Sequence, residues 1–215
     1  MESPLRPSAE PDFRLIETLA FRPEQGFVRQ DRHLARMART ASALGVPFNS
    51  DEATAVLNEA VGDTPLRCRL TLDASGVFDL TTGVLAGNPP IWRVALSDQR
   101  LASNDLWLRY KTTHRALYDS ARAALPEGID ELLFLNELDE LCEGTITNLF
   151  LEMPDGRVLT PALSSGLLPG ILREELLDKE TVIEAVLTLT DLKNAQTVYM
   201  GNSLRGLIRV EFRDT

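Results

Sequence analysis

The group in this sequence best suited to covalent chemistry is the amine of Lys111. A primary amine that has lost its proton attacks an aldehyde and forms a Schiff base. Lys111 follows Trp107 and Tyr110 and precedes a predicted helix, a setting that would remove water from the amine and favour its neutral form. The only other lysines, Lys179 and Lys193, lie in no comparable setting. Since most lysines are solvated surface charges, Lys111 is a candidate nucleophile and not yet an assigned one.

Other candidate groups suit the binding of an anion. Gly170 follows a proline at the entry to a predicted helix, where backbone N–H groups without a helical partner favour negative charge. The segment 201–204, Gly-Asn-Ser-Leu, follows a predicted strand and offers a hydroxyl and backbone N–H groups. Arg36 could bind a phosphate through paired hydrogen bonds. It also belongs to a series of arginines at three- and four-residue steps, which is typical of a solvated helix face.

The order and spacing of four segments resemble the fold-type IV pyridoxal-phosphate-dependent enzymes, which include the class IV aminotransferases and aminodeoxychorismate lyase. These segments are residues 110–113, 143–148, 168–171 and 201–204. Together they supply the groups needed to hold an aldehyde, a pyridine ring and a phosphate. The resemblance implies an α+β fold of two sub-domains, like that of D-amino acid aminotransferase and branched-chain aminotransferase, with a shortened N-terminal sub-domain.

The resemblance also implies a role for each candidate residue. Lys111 would be the catalytic lysine that forms a Schiff base with pyridoxal 5′-phosphate, and Glu143, 32 residues later, would pair with the pyridine nitrogen. Arg36 would bind the cofactor phosphate. The other residues implied to bind the cofactor are Asn148, Gly170, Ile171, Asn202, Ser203 and Leu204. Aminotransferases often carry threonine at the position of Leu172, so only the backbone is expected to contribute there.

Within this family the segments 13–19 and 202–206 look most like aminodeoxychorismate lyases, which form 4-aminobenzoate and pyruvate. Many branched-chain enzymes have a tyrosine five residues after the lysine, where this chain has Ala116. Two alternatives stay open. One is a class IV aminotransferase that acts on branched-chain or D-amino acids with 2-oxoglutarate, and the other is a non-catalytic relative that binds the cofactor. Either enzyme would act on a small-molecule amine substrate.

Apolar periodicity predicts the elements that position these residues. Strands are predicted at residues 13–21, 27–29, 67–73, 77–81, 91–96, 131–136, 147–153, 197–200 and 207–212, and helices at 31–44, 50–62, 112–125 and 170–177. Asp31 is the predicted N-cap of the first helix and Gly45 its predicted stop. We predict a flexible leader at 1–11, a smaller N-terminal sub-domain at 12–104 and a larger cofactor-binding sub-domain at 105–215.

Composition excludes several classes of function. The net charge of −10 argues against a nucleic-acid partner, which requires clustered basic residues. No apolar run is long enough for a membrane span, and we expect no membrane partner. Two cysteines are too few for a disulfide framework, which favours a cytoplasmic location. Neither His33 nor His114 has the spacing of a metal ligand, so no metal site is expected.

The resemblance further implies a homodimer, with each active site at the cleft between sub-domains and near the partner subunit. Two-fold pairing is also the commonest symmetry of soluble oligomers. Residues 82–90 and 97–105 are predicted loops that could reach across to the partner. The apolar side chains of Val84, Leu85 and Ile91 are the candidate contacts, although they could equally close their own hairpin.

Overall fold

The computed structural model describes residues 13–213, so the predicted leader at 1–11 lies outside the described part of the chain. The chain divides into two compact units. The first contains the described residues up to Ala86 together with Tyr110–Arg115, and the second contains Gly87–Arg109 and the chain from Ala116 onward. The predicted division between residues 104 and 105 stays a prediction. By their contacts in the structure, residues 87–109 belong to the second unit.

The first unit is a four-stranded antiparallel sheet with two helices. Its elements are β1 (Arg14–Arg22), β2 (Gly26–Phe27), α1 (Gln30–Leu44), α2 (Ser50–Leu57), β3 (Leu66–Asp73) and β4 (Phe78–Val84). The strand order is β2-β1-β3-β4. Helix α1 packs on β1 and buries Leu34, Met37, Ala41 and Leu44, whose three- and four-residue spacing places them on one face. Apolar periodicity thus fixes the face that α1 turns toward the sheet.

The predicted ends of the two helices are partly wrong. Helix α1 begins after Arg29, which adopts a left-handed conformation, and Asp31 lies in the first turn instead of capping it. An acidic side chain still favours this position because the helix N-terminus carries partial positive charge. Gly45 is confirmed as the C-terminal stop, with a φ of 69°. Helix α2 ends at Leu57 and not near Gly62, because the chain then tightens into i to i+3 turns.

Residues 111–113 do not begin a helix, which corrects the prediction of a helix over 112–125. They extend along the edge of β1: the N–H of Ile16 donates to Lys111 O at 2.9 Å, and the N–H of Thr113 donates to Arg14 O at 2.9 Å. Strand β2 pairs only with the other end of this edge, at Phe21 and Arg22. An open edge next to two β-branched threonines favours strand pairing, so helix α3 starts only at Ala116 (Ala116–Ala123).

The second unit is built on an eight-stranded sheet. Its strands are β5 (Ile91–Leu101), β6 (Glu131–Asn136), β7 (Leu141–Gly144), β8 (Asn148–Glu152), β9 (Val158–Pro161), β10 (Ile183–Ala185), β11 (Thr197–Asn202) and β12 (Gly206–Phe212). The order is β10-β9-β8-β11-β12-β5-β6-β7, and β7 also pairs with β8. That extra pairing closes six strands into a ring around a core that includes Leu133, Leu149 and Met200.

Strand β5 is longer than predicted. The polar stretch 97–105 was predicted as a loop, but β5 continues to Leu101. A shift in register between Leu96 and Arg100 lets the strand keep its parallel pairing with β6 while several polar side chains stay exposed. The predicted loop 82–90 is likewise shorter, because β4 extends to Val84.

Several short elements escaped the sequence analysis. They are β7, β9, β10 and helix α5 (Leu189–Asn194). Elements of three to six residues contain too few positions to show a periodicity. The predicted helix at 170–177 is confirmed as α4 (Ile171–Asp178). Between residues 13 and 213, no helix combines the length and apolar character required to cross a membrane.

Candidate active site

Lys111 lies in the first unit, on the short extended segment added to β1. Its carbonyl oxygen accepts the Ile16 N–H, and the adjacent Thr112 is buried. Two further hydrogen bonds join Arg14 and Thr113: the Arg14 N–H donates to Thr113 Oγ1 at 2.9 Å, and the Thr113 N–H donates to Arg14 O. The backbone that carries Lys111 is therefore fixed to a strand, while its half-buried side chain retains access to solvent.

A buried carboxylate organises the residues next to Lys111. Glu17, on β1, is 1% exposed and accepts hydrogen bonds from Arg36 Nε at 2.8 Å and Nη2 at 2.6 Å. His33 Nδ1 lies 2.6 Å from the same carboxylate. Burial alone would raise the pKa of Glu17, but the charges and hydrogen bonds of Arg36 and His33 outweigh it and lower this pKa to about 2. Glu17 is therefore ionised, and His33 Nδ1 must carry the proton that it donates.

The pKa of His33 reflects its burial and the charges of three neighbours. Burial lowers the pKa of His33, and the nearby positive charges of Arg36 and Lys111 lower it further, whereas Glu17 opposes the shift. The imidazole is accordingly neutral at pH 7. The structure thus brings Arg36 and Lys111, two predicted site residues, into the electrostatic surroundings of one buried histidine. Glu17 could not be predicted from the sequence, because it lies 16 positions before His33 and no local pattern signals their contact.

Glu143 lies in the second unit, at the end of β7, and is 6% exposed. Its Oε1 accepts hydrogen bonds from the Tyr118 hydroxyl at 2.7 Å and from the Leu168 N–H at 3.1 Å. Its Oε2 accepts a longer one from Asn148 Nδ2, at 3.4 Å. Glu143 and Asn148 are opposite each other in the β7–β8 pair. The five-residue spacing read from the sequence is therefore the spacing across one hairpin.

The hairpin turn between Glu143 and Asn148 is organised by a second buried carboxylate, Glu131. Glu131 is fully buried and accepts hydrogen bonds from the hydroxyls of Thr145 and Thr147, at 2.5 and 3.1 Å. The backbone N–H groups of Thr145 and Ile146 donate to it at 3.1 and 3.3 Å. The carboxylate of Glu131 thus accepts hydrogen bonds from backbone N–H groups of the turn, as a neighbouring strand would do in a sheet. The sequence offered one weak signal, a glutamate directly before four apolar residues of a predicted strand.

The turn before α4 is built against Asn148. Asn148 Nδ2 donates to Leu168 O at 3.0 Å, and a Cβ at Gly170 would lie only 1.9 Å from Asn148 Oδ1. A side chain at this position would force Asn148 or the turn to move. Helix α4 begins at Ile171, directly after Gly170, and no side chain among the described residues caps this N-terminus. The N–H groups of its first turn are the type of donors that bind a phosphate. Leu172 is buried and has no hydroxyl to add.

The last three predicted residues lie at the end of β11 and in the turn that leads to β12. Asn202 Oδ1 accepts hydrogen bonds from the N–H groups of Leu204 and Arg205, at 3.1 and 2.9 Å. Its Nδ2 donates to Ile146 O at 3.1 Å, which ties this turn to the hairpin turn beside Glu143. Ser203 is buried. The structure therefore assigns Asn202 a positioning contact. Direct cofactor binding by Asn202, Ser203 and Leu204 stays a prediction.

The candidate residues of the two units have the chemical groups that pyridoxal 5′-phosphate requires. The first unit contains an amine for the aldehyde, at Lys111, and an arginine. The second contains a buried carboxylate for the pyridine nitrogen, at Glu143, and the N-terminus of α4 for the phosphate. No side chain of residues 13–213 caps that N-terminus. The close approach of Gly170 to Asn148 keeps that helix end next to the hairpin that carries Glu143.

Comparison with known proteins agrees with this donor set. The profile of the family Amino-transferase class IV matches residues 14–211. A Schizosaccharomyces pombe protein assigned as an aminodeoxychorismate lyase is 30% identical over 185 residues, which cover 80% of this chain and 79% of the relative. A crystal structure of a Mesorhizobium loti protein assigned as an amino-acid aminotransferase is 41% identical, with a TM-score of 0.90 over 94% of this chain and all of the other.

Other solved structures establish the fold. The 4-amino-4-deoxychorismate lyase from Pseudomonas aeruginosa is 25% identical, with a TM-score of 0.80 over 94% of this chain and 83% of that enzyme. Branched-chain aminotransferases from Thermotoga maritima and Escherichia coli, 23% and 22% identical, share the architecture and attest the fold alone. The predicted fold type IV is therefore confirmed. The chain belongs to the class IV aminotransferase family of pyridoxal-phosphate-dependent enzymes.

Proposed function

We propose that this protein is a lyase that uses pyridoxal 5′-phosphate to convert 4-amino-4-deoxychorismate into 4-aminobenzoate and pyruvate. The observation that carries the cofactor claim is the presence of Lys111 on a fixed strand edge and of Glu143 in a buried shell of hydrogen-bond donors. We further propose that both act on one cofactor, whose phosphate is bound by Arg36, the α4 N-terminus and the 201–204 turn. The lyase claim draws on the similarity to the S. pombe relative.

The structure adds one argument for the lyase over a branched-chain enzyme. Ala116 occupies the position where many branched-chain enzymes have a tyrosine, and its side chain is exposed. The nearest tyrosine along the helix, Tyr118, has its hydroxyl on Glu143. Because this hydroxyl is bound to Glu143, Tyr118 does not replace the missing tyrosine.

In this proposal the residues of the chain divide the work. Pyridoxal 5′-phosphate, when bound, supplies an aldehyde and a ring that withdraws electrons from the carbon bearing the substrate amine. The neutral amine of Lys111 accepts the proton from that carbon. Glu143 holds a proton at the ring nitrogen. The substrate ring becomes aromatic when it has lost this proton and the enolpyruvyl group. The enolpyruvyl group gains a proton and leaves as pyruvate.

A class IV aminotransferase is the second candidate, favoured by the 41% identity to the M. loti protein. It would act on branched-chain or D-amino acids with 2-oxoglutarate and would use Lys111 and Glu143 in the same way. The two reactions differ in substrate contacts and not in cofactor binding. A non-catalytic relative is the third candidate. Lys111 and Glu143 together count against it, because a carboxylate opposite the ring nitrogen serves electron withdrawal and not binding alone.

One set of incubations separates the three candidates. The purified protein is saturated with pyridoxal phosphate and given 4-amino-4-deoxychorismate, or D- and L-amino acids with 2-oxoglutarate. The lyase forms 4-aminobenzoate, which is detected by its fluorescence, whereas the aminotransferase forms a keto acid and glutamate. The Lys111→Ala variant controls for spontaneous reaction. Absorbance of bound cofactor without any product would favour the non-catalytic relative and contradict the lyase.

The homodimer and the cytoplasmic location are also proposals. Val84 and Ile91 are 77% and 37% exposed, so these apolar side chains are available for a subunit contact. Light scattering at micromolar concentration should give the mass of two chains. A fully active monomer at that concentration would remove the dimer from the mechanism. The cytoplasmic location rests on the presence of only two cysteines, both buried as free thiols.

A further inference from the structure

The hydroxyl of Tyr118 makes the shortest of the hydrogen bonds described for Glu143. It donates to Oε1 at 2.7 Å, compared with 3.1 Å for the Leu168 N–H and 3.4 Å for Asn148 Nδ2. A short O–H donor to a carboxylate is among the stronger hydrogen bonds in proteins. Tyr118 lies on α3, seven residues after Lys111, and the sequence analysis gave it no role.

Packing fixes the direction of this hydroxyl. The Tyr118 ring meets the fully buried Phe134 edge to face, with the ring centroids 5.4 Å apart and the planes at 79°. Phe134 belongs to β6, which pairs with the β7 strand that carries Glu143. The ring that packs on Tyr118 and the carboxylate that accepts its hydrogen bond therefore lie on adjacent strands of one sheet. Such support preorganises a contact, because little conformational freedom is lost when the contact forms.

The hydrogen bond has a chemical consequence for Glu143. A buried carboxylate is costly unless donors stabilise its charged form, and a donor to that form lowers its pKa. Without the hydroxyl, Glu143 would be a stronger base. A stronger base opposite a protonated ring nitrogen draws the shared proton toward itself and weakens the ring as an electron acceptor.

We propose that Tyr118 is a positioning residue that acts through Glu143: its hydroxyl holds the carboxylate in place and keeps it ionised opposite the ring nitrogen of bound pyridoxal phosphate. This inference rests on the cofactor claim of the proposed function. It does not depend on whether the chain is a lyase or an aminotransferase.

Tyr118→Phe tests the inference because it removes the hydroxyl and keeps the ring that packs on Phe134. The chain offers a matched control in Tyr199→Phe, which removes a hydroxyl from another tyrosine–glutamate pair of the same unit, 3.2 Å from Glu152 Oε2. The first measurement is the affinity of the cofactor-free protein for pyridoxal phosphate as a function of pH. Loss of a hydrogen bond to a charged group should move the acid limb of Tyr118→Phe upward by about one pH unit.

The second measurement is the ¹⁵N signal of the ring nitrogen in bound, labelled cofactor. In Tyr118→Phe this signal should shift toward the unprotonated form, while Tyr199→Phe should match the wild type.

A double-variant cycle separates positioning from a general structural role. Tyr118→Phe should weaken cofactor binding roughly three- to tenfold in the wild-type background and have no further effect in Glu143→Gln.

The outcomes distinguish the inference from the proposed function. A wild-type protein that binds no pyridoxal phosphate overturns both. A wild-type protein that binds it, together with a Tyr118→Phe variant whose acid limb and ¹⁵N signal are unchanged, overturns the inference alone. Equal weakening of binding by Tyr118→Phe in both backgrounds also overturns it, because the effect would then not pass through Glu143.

Discussion

The guanidinium of Arg36 binds both carboxylate oxygens of Glu17, through Nε at 2.8 Å and Nη2 at 2.6 Å. This paired contact fixes the plane of the guanidinium inside the first unit, where the arginine is almost fully buried. The residue proposed to bind the cofactor phosphate is thus already positioned by a partner from β1. His33 shares that partner, and the nearby charge of Lys111 lowers the pKa of His33.

Glu17→Gln should destabilise the protein, because it leaves the Arg36 charge buried without its carboxylate. Removing one partner of a buried ion pair typically costs about 3–5 kcal/mol. Unfolding in urea would measure this loss as a change in the free energy of unfolding. Asp155→Asn is a suitable control, since Asp155 pairs with Arg157 on the surface and should matter little. Equal stability of Glu17→Gln and the wild type would show that the pair does not hold the unit together.

The same carboxylate predicts how stability depends on pH. The pKa of Glu17 falls from 4.5 to about 2 on folding, so its contribution is fully present above pH 4.5 and is lost as the pH falls toward 2. This shift corresponds to roughly 3 kcal/mol at neutral pH. The stability difference between the wild type and Glu17→Gln should therefore shrink between pH 4.5 and 2. A difference that stays constant over this range would contradict the assignment.

Gly170→Ala should disrupt the turn before α4. The new Cβ would lie 1.9 Å from Asn148 Oδ1, so either the asparagine or the helix N-terminus must move. We expect a loss of about 1–3 kcal/mol in stability, as for other overpacked sites, and at least tenfold weaker binding of pyridoxal phosphate. Gly87→Ala is the control, because a Cβ there meets nothing within 4 Å. Unchanged cofactor affinity in Gly170→Ala would separate this turn from the phosphate.

Glu131→Gln should loosen the hairpin turn between Glu143 and Asn148. The carboxylate accepts hydrogen bonds from Thr145, Ile146 and Thr147, and an amide would point hydrogens at part of this donor set. A loss of about 2–4 kcal/mol in the free energy of unfolding is expected, since buried donors would lose their acceptor. Glu59→Gln, at an exposed position, should be neutral. A Glu131→Gln protein as stable as that control would show that the turn is held otherwise.

Glu143→Gln should retain bound cofactor and lose most of its turnover, because a neutral amide cannot hold the proton at the ring nitrogen. A hundredfold loss of kcat would correspond to about 2.7 kcal/mol of transition-state stabilisation. Absorbance of the bound cofactor reports its retention and a product assay reports kcat. Near-normal turnover in this variant would contradict the pairing of Glu143 with the ring nitrogen.

The sequence predicted those parts of the structure that local patterns determine. The Glu143–Asn148 spacing corresponds to a hairpin, and Gly45 ends α1 as its position suggested. The extended path of 111–113 could not be predicted, because it depends on the unpaired edge of β1, almost a hundred residues earlier in the chain.

Three residues with organising contacts were missed for a related reason. Glu17, Tyr118 and Glu131 act through partners that are distant in sequence or hidden in a turn. A glutamate in a strand and a tyrosine in a short helix have many surface counterparts, so residue type alone does not reveal a buried contact. Burial becomes visible only when the sheet order is known.

The central claim, that Lys111 is the lysine that bonds covalently to pyridoxal phosphate, is tested most directly by borohydride reduction of the cofactor-bound protein. Reduction makes the bond between the cofactor and its lysine permanent, and peptide mass mapping then locates the modified residue. The chain offers only three lysines, so the result is unambiguous. We expect the label on the peptide that contains Lys111. A label on Lys179 or Lys193, or no label on a protein saturated with cofactor, would contradict it.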